Sequence, residues 1–569
     1  LARDAARYFS SLLRSGLGPF LRQAAGDVTL ADLAARSARK RPTALALEVG
    51  SEQLSYAELD RVAQAAAGFL QALGARGGEV VALVGRNSIA YVALLLGAAR
   101  RGITLALVHP ELAGEPLRQA LIAADARFVA CEAPLAATVR AASTLPCATF
   151  DARSRQPFEA SLPVPGFAAD RRRHDFARVF TSGTTGLPKA CRLPHSRVLA
   201  AACLFGAPLF DFRVGDKLLC PLPLHHGSPL MLGLGASLVS GTPLVLEPRF
   251  SASRLLGVAA ESGATALLYV GDLGRLLLAT PEGPADRRHR LRVAVGNGMA
   301  AEVWSKFQSR FGIESVREFY AATESPVGIF NLSGRVGSVG NLPYAWMFGL
   351  KLVRLDAEGE LLRDAQGRLQ ECEPGEPGEL LVRARRSGLG VYHGYVDSSA
   401  TEARLVRDAF APGDALFRTF DVLSRDRDGF YYFVERGGDS FRFRGENVPT
   451  ALVERELCAL PGVREALVTG VSVPGYDGRA GLAVVVGSES FDINALAALS
   501  QHLPRSAVPR FVRRASDLGR TSSLKLRRRA WALEGVDPGR VDAELWVGDT
   551  YLRLDTATYD AIVTGQLRL

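Results

Sequence analysis

No C-x-x-C pair occurs in the 569 residues, and the seven cysteines, at 131, 147, 191, 203, 220, 372 and 458, are scattered and odd in number. This argues against a thiolate zinc site and a disulfide framework and fits a reducing compartment. The eight histidines are equally dispersed. Only His225 and His226 adjoin, and neighbours on one strand would point to opposite faces, a poor geometry for joint metal ligation. No long apolar run goes uninterrupted: residues 90–107 come nearest to a membrane span, but Arg100 and Arg101 break them, and they read as a buried helix running into a strand. The first residues carry Arg3 and Arg7 without a continuous apolar core, so no signal peptide is expected there. The basic runs at 171–173, 287–290 and 527–529 lack the regular aromatic interleaving of a nucleic-acid surface, and a solvated face is the simpler account of each. No internal repeat or low-complexity tract is present.

What the chain has instead is a globular balance. Apolar side chains make up 48% and charged ones 22%, and the length is too great for one hydrophobic core, so two or more domains are expected. The formal net charge of +9 favours anionic partners such as nucleotide phosphates, carboxylates or lipid headgroups. Apolar helical stretches alternate with short β-branched runs: 80–84 follows a helix predicted over 59–73, and 104–108 follows one over 91–99. Similar runs recur at 244–246 and 267–270, which predicts α/β order with buried sheets. From about Pro374 to Phe433, dense Gly, Asp and aromatic residues predict shorter antiparallel strands. A second α/β pattern begins at Thr450, with strands over 466–471 and 482–486 and a helix over 493–503. Between the two regimes, Glu435-Arg436-Gly437-Gly438-Asp439 reads as a hinge or, equally, as an ordinary interdomain turn. Near the start, Tyr8, Phe9, Leu12, Leu13 and Leu17 form one apolar stripe on a short helix with basic flanks. Packing on the protein body is the simpler reading of it, and contact with a membrane surface is the alternative.

The densest chemical signal is Thr181-Ser182-Gly183-Thr184-Thr185-Gly186-Leu187-Pro188-Lys189. Packed hydroxyls and two glycines let backbone N–H groups close around a polyanion, and Lys189 adds a point charge. The spacing differs from the common nucleotide P-loop, because Pro188 stands where the second glycine would be. Alone, the cluster describes a flexible surface loop as well as a phosphate cradle.

Together with motifs further along, this segment resembles the acyl-adenylate-forming superfamily, and more closely the fatty-acid transport protein / very-long-chain acyl-CoA synthetase family. The resemblance runs from about residue 50 to Leu569, with Phe180 to Lys189 as its most specific stretch. It implies that Thr181, Ser182, Gly183, Thr184, Thr185, Gly186 and Lys189 hold the β- and γ-phosphates of ATP while a carboxylate attacks the α-phosphorus. Pyrophosphate then leaves, and a thiol attacks the acyl-adenylate. Pro223-Leu224-His225-His226 resembles the family's Pro-Leu-Tyr-His, implying that His226 orients the acyl carboxylate or stabilises charge there, and that His225 alters the acyl pocket. Glu318-Phe319-Tyr320-Ala321-Ala322-Thr323-Glu324 resembles Glu-Phe-Tyr-Gly-Ala-Thr-Glu, with Ala321 in place of glycine. By that resemblance Tyr320 stacks on adenine, Thr323 contacts the α-phosphate, and Glu324 holds Mg²⁺, a hard cation that takes carboxylate and phosphate oxygens.

Gly296-Asn297-Gly298 resembles the run lining the adenine side, and Tyr269-Val270-Gly271-Asp272 a segment near the acyl channel. Arg418-Thr419-Phe420-Asp421 matches a position that normally reads Thr-Gly-Asp, so Asp421 is expected to accept both ribose hydroxyl protons while Phe420 replaces glycine. The same resemblance makes Arg436 a nucleotide-side arginine, gives Gly445 backbone contacts at the thioester stage, and has Lys525 bridge carboxylate and α-phosphate during adenylation.

The expectation is therefore an α/β protein: a large region of stacked α/β subdomains with a β-rich subdomain over 1–436, then a small mobile α+β domain over 437–569. The resemblance implies an ATP- and Mg²⁺-dependent ligase joining a long or very long fatty acid to coenzyme A, cytoplasmic or peripheral on the inner face of a membrane. Nucleic acid is not an expected partner, and the motifs specify no oligomeric state. Two alternatives stand beside this reading. One is a related ligase for another acid or for a carrier-protein thiol; the other is a weakly active adenylate-binding relative, motivated by Phe420 and Ala321.

Overall fold

Val80–Val84 and Thr104–Val108 are buried at every residue, as parallel strands covered on both faces must be. The helices that lead into them have ends written in the sequence. Ser55 and Glu58 form a reciprocal capping box at the start of Tyr56–Ala72. Ser88 caps Ile89–Arg101, which stops at Gly102 in the left-handed conformation, φ 69°. These two helices approach so closely that a Cβ on Gly97 would lie 2.7 Å from the Ala67 backbone nitrogen, so only glycine fits. Residues 90–107 are thus the buried helix and strand expected of them. Arg100, 2% exposed, is accommodated by an ion pair with Asp60 and by the Phe167 ring 4.4 Å from its guanidinium.

The computed structural model describes residues 8–569 apart from 14–16, 19, 21–27, 155–156, 159–163, 165, 183–187, 343–347, 357–359, 388–389, 437–439, 444–445, 475–478, 489–490, 502, 504–506, 521–525, 548–549, 565 and 568. The N-terminal region holds two large sheets. The six-stranded one runs in the order Cys147–Phe150, Phe128–Glu132, Val80–Val84, Thr104–Val108, Asp175–Ser182 and Pro188–Pro194, parallel except for its last pair. The eight-stranded one runs Ile329–Phe330, Ser315–Tyr320, Val293–Asn297, Ala266–Val270, Leu218–Cys220, Leu244–Leu246, Leu45–Val49 and Glu52–Ser55, parallel inside and antiparallel at both ends.

One apolar core runs through both sheets. Asn87, at the end of Val80–Val84, ties them together. Its amide donates to the Leu222 and Glu247 carbonyls at 2.9 and 2.8 Å, and its carbonyl accepts from the Leu224 N–H at 2.8 Å.

The predicted change of texture is a five-stranded antiparallel sheet of Leu350–Val353, Gly378–Arg383, Leu405–Arg407, Ala415–Arg425 and Tyr431–Arg436, beginning earlier than the sequence suggests. Beyond it a smaller α+β domain folds around its own core, drawn from Phe441 to Leu569. Its mixed sheet orders Val463–Val471, Ala480–Gly487, Phe511–Arg514, Glu544–Val547 and Thr550–Arg553. Ile493–Gln501 winds as a 3₁₀ helix, and its buried Ile493, Leu496 and Leu499 recur every three residues, the period that puts them on one face of that tighter helix.

The N-terminal apolar stripe divides. Tyr8 stacks on Phe330 at 5.1 Å and donates to the Leu204 carbonyl at 3.0 Å, and Leu12 is buried, whereas Phe9 and Leu13 stay exposed. Among the described residues no helix is long and apolar enough to cross a membrane.

Candidate active site

The candidate residues gather beyond the C-terminal ends of parallel strands, where open α/β sheets bind ligands. Val293–Asn297 runs into Gly298, Ser315–Tyr320 into the segment ending at Glu324, and Leu218–Cys220 into the turn bearing His225 and His226. Asp175–Ser182 and Pro188–Pro194 form an antiparallel pair that brackets the predicted phosphate loop, with Thr181 opposite Lys189. Gly183, Thr184, Thr185 and Gly186 lie outside the described residues, as do Gly445 and Lys525; for Thr181, Ser182 and Arg436 only the backbone is described.

The structure brings Tyr320, Asp421, Thr323, Glu324 and Lys189 together. The Tyr320 hydroxyl donates to Asp421 Oδ2 at 2.6 Å, and both residues are buried. Glu324 Oε1 accepts from the Tyr395 hydroxyl at 2.9 Å and from Arg404 at 3.3 Å. The Lys189 ammonium lies 6.0 Å from the centre of the same Tyr395 ring. Arg197 crosses beneath this segment and donates to the Thr323 carbonyl at 2.7 Å and to the Ser325 carbonyl, fixing the turn that presents Glu324. Magnesium needs one or two carboxylates and completes its octahedron with phosphate and water oxygens. A single buried carboxylate next to the Lys189 strand is a donor set that fits it; among the described residues no group of three His, Cys, Asp or Glu forms a protein-only cage.

Glu318, which opens the Tyr320 motif, does structural duty that the motif alone did not disclose. Its carboxylate accepts from the Gly298 and Met299 N–H groups at 2.7 and 3.0 Å and from the Tyr269 hydroxyl at 2.5 Å, so it moulds the strand end at Gly296-Asn297-Gly298. Burial pushes its pKa up to about 7, against the opposing pull of these three donors. Gly296 has no room for a side chain: a Cβ would stand 2.4 Å from the Tyr269 carbonyl oxygen and 2.5 Å from its ring. Asn297 Oδ1 is buried and makes no hydrogen bond among the described residues.

Phe420 occupies a bulge. Gly378–Arg383 pairs with Ala415–Arg425, and the register shifts by two residues at Thr419 to Asp421. Phe420 sits there with φ 60°, a conformation that favours glycine and costs another residue about 1–2 kcal/mol. The bulge is held by the Phe420 N–H donating to Glu379 at 3.1 Å and the Thr419 hydroxyl donating to the Leu380 carbonyl at 2.7 Å. The Phe420 ring lies 4.7 Å from the Arg404 guanidinium and 4.5 Å from that of Arg418.

His225 and His226 lie in a turn rather than on a strand, so their rings stand side by side at 4.4 Å instead of facing opposite ways. His109 meets His225 edge-on at 4.8 Å. Burial, with His226 and His109 acting in the same sense, holds His225 well below the usual imidazole range and therefore neutral. Gly227 presses on Thr323: a Cβ there would lie 2.8 Å from its hydroxyl. Behind Ala321, Ala322 and Thr323 opens a cavity of about 450 Å³, walled by Phe205, Leu209, Met231, Leu232, Phe319 and Val327.

Sequence reasoning missed Asn87, Arg197, Tyr395 and Arg404. Each acts through contacts more than seventy positions away in the chain, which no local pattern announces.

A family model described as AMP-binding enzyme matches residues 34–396. Long-chain fatty acid transport protein 1 of Homo sapiens is 35% identical over 566 residues, covering 93% of this chain and 87% of that protein. Medium/long-chain-fatty-acid--CoA ligase FadD6 of Mycobacterium tuberculosis is 37% identical over 512 residues, covering 86% and 84%. Among solved structures, a benzoate CoA ligase from Burkholderia xenovorans and ATP-bound MatB from Rhodopseudomonas palustris each align at TM-score 0.74 over 89% of this chain and 99% of theirs. Their identities of 21% and 24% speak for a shared fold. The chain belongs to the AMP-binding enzyme family, as an ATP-dependent adenylate-forming ligase of the acyl-CoA synthetase superfamily related to the fatty-acid transport and fatty-acid–CoA ligase proteins.

Proposed function

We propose that this chain is an AMP-forming fatty acid–CoA ligase for long or very long chains. The observation that carries this reading is the apolar cavity behind Ala321, Ala322 and Thr323, whose walls of Phe, Leu, Met and Val would take a hydrocarbon tail while Thr323 lines it beside the residues read as binding nucleotide. The similarity to long-chain fatty acid transport protein 1 and to a medium/long-chain-fatty-acid–CoA ligase supports the same substrate class.

In this reading the loop from Thr181 to Lys189 cradles the β- and γ-phosphates, and Glu324 holds Mg²⁺, which would neutralise charge on the departing pyrophosphate. Asp421 takes the ribose hydroxyls, Tyr320 and the Gly296–Gly298 turn enclose adenine, and Arg436 lies on the nucleotide side. Thr323 donates toward the α-phosphate. His226 orients the acyl carboxylate, and Lys525 draws carboxylate and phosphate together. Residues 437–569 would then turn, bringing Gly445 to the thioester stage with coenzyme A.

The test is ATP consumption with detection of AMP and pyrophosphate across C4 to C24 acids, with and without coenzyme A. CoA-dependent AMP release peaking at one long acid is the expected result; release with only short, aromatic or polar acids would overturn the substrate class. Lys525→Ala is expected to suppress adenylation and spare thioesterification of supplied acyl-adenylate, and equal loss in both half-reactions would remove that role.

A further inference from the structure

We propose that Arg404, clamped by the ring of Phe420, is a triphosphate-positioning residue that exchanges Glu324 for nucleotide phosphate when ATP binds. The proposal rests on the functional reading above and concerns two residues to which that reading gives no role.

Arg404 lies just after the Ser398–Glu402 helix, 80 positions from Glu324 in sequence, yet its guanidinium reaches Glu324 Oε1 at 3.3 Å. Nη2 makes that contact, while Nη1 donates to the Arg418 and Thr419 carbonyls at 3.2 and 3.4 Å, and the guanidinium lies 4.7 Å from the Phe420 ring. An arginine has five N–H donors in a rigid fork, and these contacts employ only part of them. The Tyr395 hydroxyl holds the same Glu324 oxygen, and Lys189 lies 6.0 Å from the Tyr395 ring. Two cations therefore flank the Glu324–Tyr395 pair, one of them on the strand that leaves the phosphate loop. Glu324 would hold Mg²⁺ once a triphosphate is bound, and the Arg404 Nη2 N–H that serves the carboxylate would then be free to turn to phosphate oxygen, for which a guanidinium is geometrically suited.

Phe420 makes that exchange local. A residue with φ 60° at a bulge would ordinarily be glycine, and this chain places a phenyl ring there. The ring covers one face of Arg404 and is itself braced by Arg418, whose own guanidinium is fixed in a bidentate pair with buried Glu379. Arg404 thus has its face covered and Nη1 held by backbone, and Nη2, on Glu324, is the nitrogen left to change partner.

The experiment is calorimetric binding of ATP with Mg²⁺, and separately of AMP, to the full chain and to Arg404→Met, Arg404→Lys, Phe420→Gly and the Met/Gly double variant, with thermal unfolding of each. Arg404→Met should weaken ATP binding by about tenfold or more, as loss of a charged hydrogen bond implies. AMP binding should stay within about twofold, since AMP lacks the phosphates concerned. Arg404→Lys should recover part of the loss. Phe420→Gly relieves the backbone and should keep its melting temperature, yet weaken ATP binding several-fold, and the double variant should be no worse than Arg404→Met alone. Equal losses for ATP and AMP, additive effects in the double variant, or unchanged ATP binding in Arg404→Met would overturn the proposal. Absence of ATP binding by the unaltered chain would instead overturn the functional reading, and this proposal with it.

Discussion

Replacing Glu318 by glutamine separates two forces that act on one buried carboxyl. Burial favours the neutral form, whereas three donors, from Tyr269, Gly298 and Met299, favour the carboxylate. Burial prevails and raises the group from 4.5 to about 7. At about 1.4 kcal/mol per pH unit the rise is worth about 3 kcal/mol, and with the residue 3% exposed no solvent screening reduces it. The sign follows from linkage. The folded state binds this proton more tightly than the unfolded chain, so the contribution is full below pH 4.5, declines as the pH rises, and is lost by about pH 7. A glutamine amide keeps the shape of the protonated carboxyl and an acceptor for the Met299 N–H and the Tyr269 hydroxyl, but its NH2 opposes the Gly298 N–H, a cost of about 1–3 kcal/mol that does not depend on pH. The stability difference between Glu318→Gln and the parent should therefore move in the variant's favour by about 3 kcal/mol from pH 4.5 to pH 8, whatever its value at pH 4.5. Thermal and urea unfolding at pH 4.5, 6 and 8 reads the difference. A difference that stays flat across this range would show that the three donors outweigh burial and that the native carboxyl is ionised throughout.

Three further outcomes are expected. Asp421→Asn keeps an acceptor for the Tyr320 hydroxyl but removes the charge, so nucleotide affinity should fall about 10- to 100-fold with little change in melting temperature; unchanged AMP binding by calorimetry would dismiss the ribose role. Gly296→Ala forces a Cβ against the Tyr269 carbonyl and ring, and Tyr269 cannot retreat while its hydroxyl is held by Glu318, so a loss of about 2–3 kcal/mol is expected in urea unfolding. A loss under about 1 kcal/mol would mean that the turn relaxes. His225→Phe removes an imidazole held neutral by burial: the parent is at full stability above about pH 6.5 and loses it as the pH falls, so the variant's advantage should widen from pH 8 to pH 5, and a pH-independent difference would contradict the depressed pKa.

Much of the fold was legible because its signals are local. The strands at 80–84 and 104–108 are apolar but for Thr104 and rich in valine, and the helices before them carry serine caps and a glycine stop. The site was legible in part for a different reason: Tyr320, Thr323 and Glu324 share one short segment at a strand end, so a single motif carries three of its members. Asp421 needed the tertiary structure to become a neighbour of Tyr320, and Arg404 to become a neighbour of Glu324. The adjacent histidines were misjudged because strand alternation was applied to a turn, where Asn87, gripping Leu222 and Leu224 from another sheet, sets the backbone direction instead. The helix expected over 493–503 is present as a 3₁₀ helix over Ile493–Gln501, the tighter form that its apolar repeat of three suits.

Phe420 is the position where local preference and tertiary structure disagree most, and the balance of forces there explains why the disagreement can persist. The left-handed backbone costs about 1–2 kcal/mol relative to glycine. Two guanidinium contacts on the ring return about 0.5–1 kcal/mol each. The sum lies near zero, so stability neither demands nor forbids the phenyl ring. What the ring changes is freedom: with glycine, the Arg404 guanidinium would lose its nearer aromatic surface, and a four-bond side chain would be steered by two backbone carbonyls, Glu324 and the Phe417 ring 5.8 Å away. Asp421 follows in the chain and shares the bulge, its N–H bonded to the Thr419 hydroxyl at 3.0 Å, so the same backbone irregularity that orients Arg404 toward Glu324 also aims Asp421 at Tyr320. A residue that is energetically neutral where it stands can thus couple the two ends of the candidate nucleotide site, because the bulge it occupies sets the direction of a side chain on either side of it.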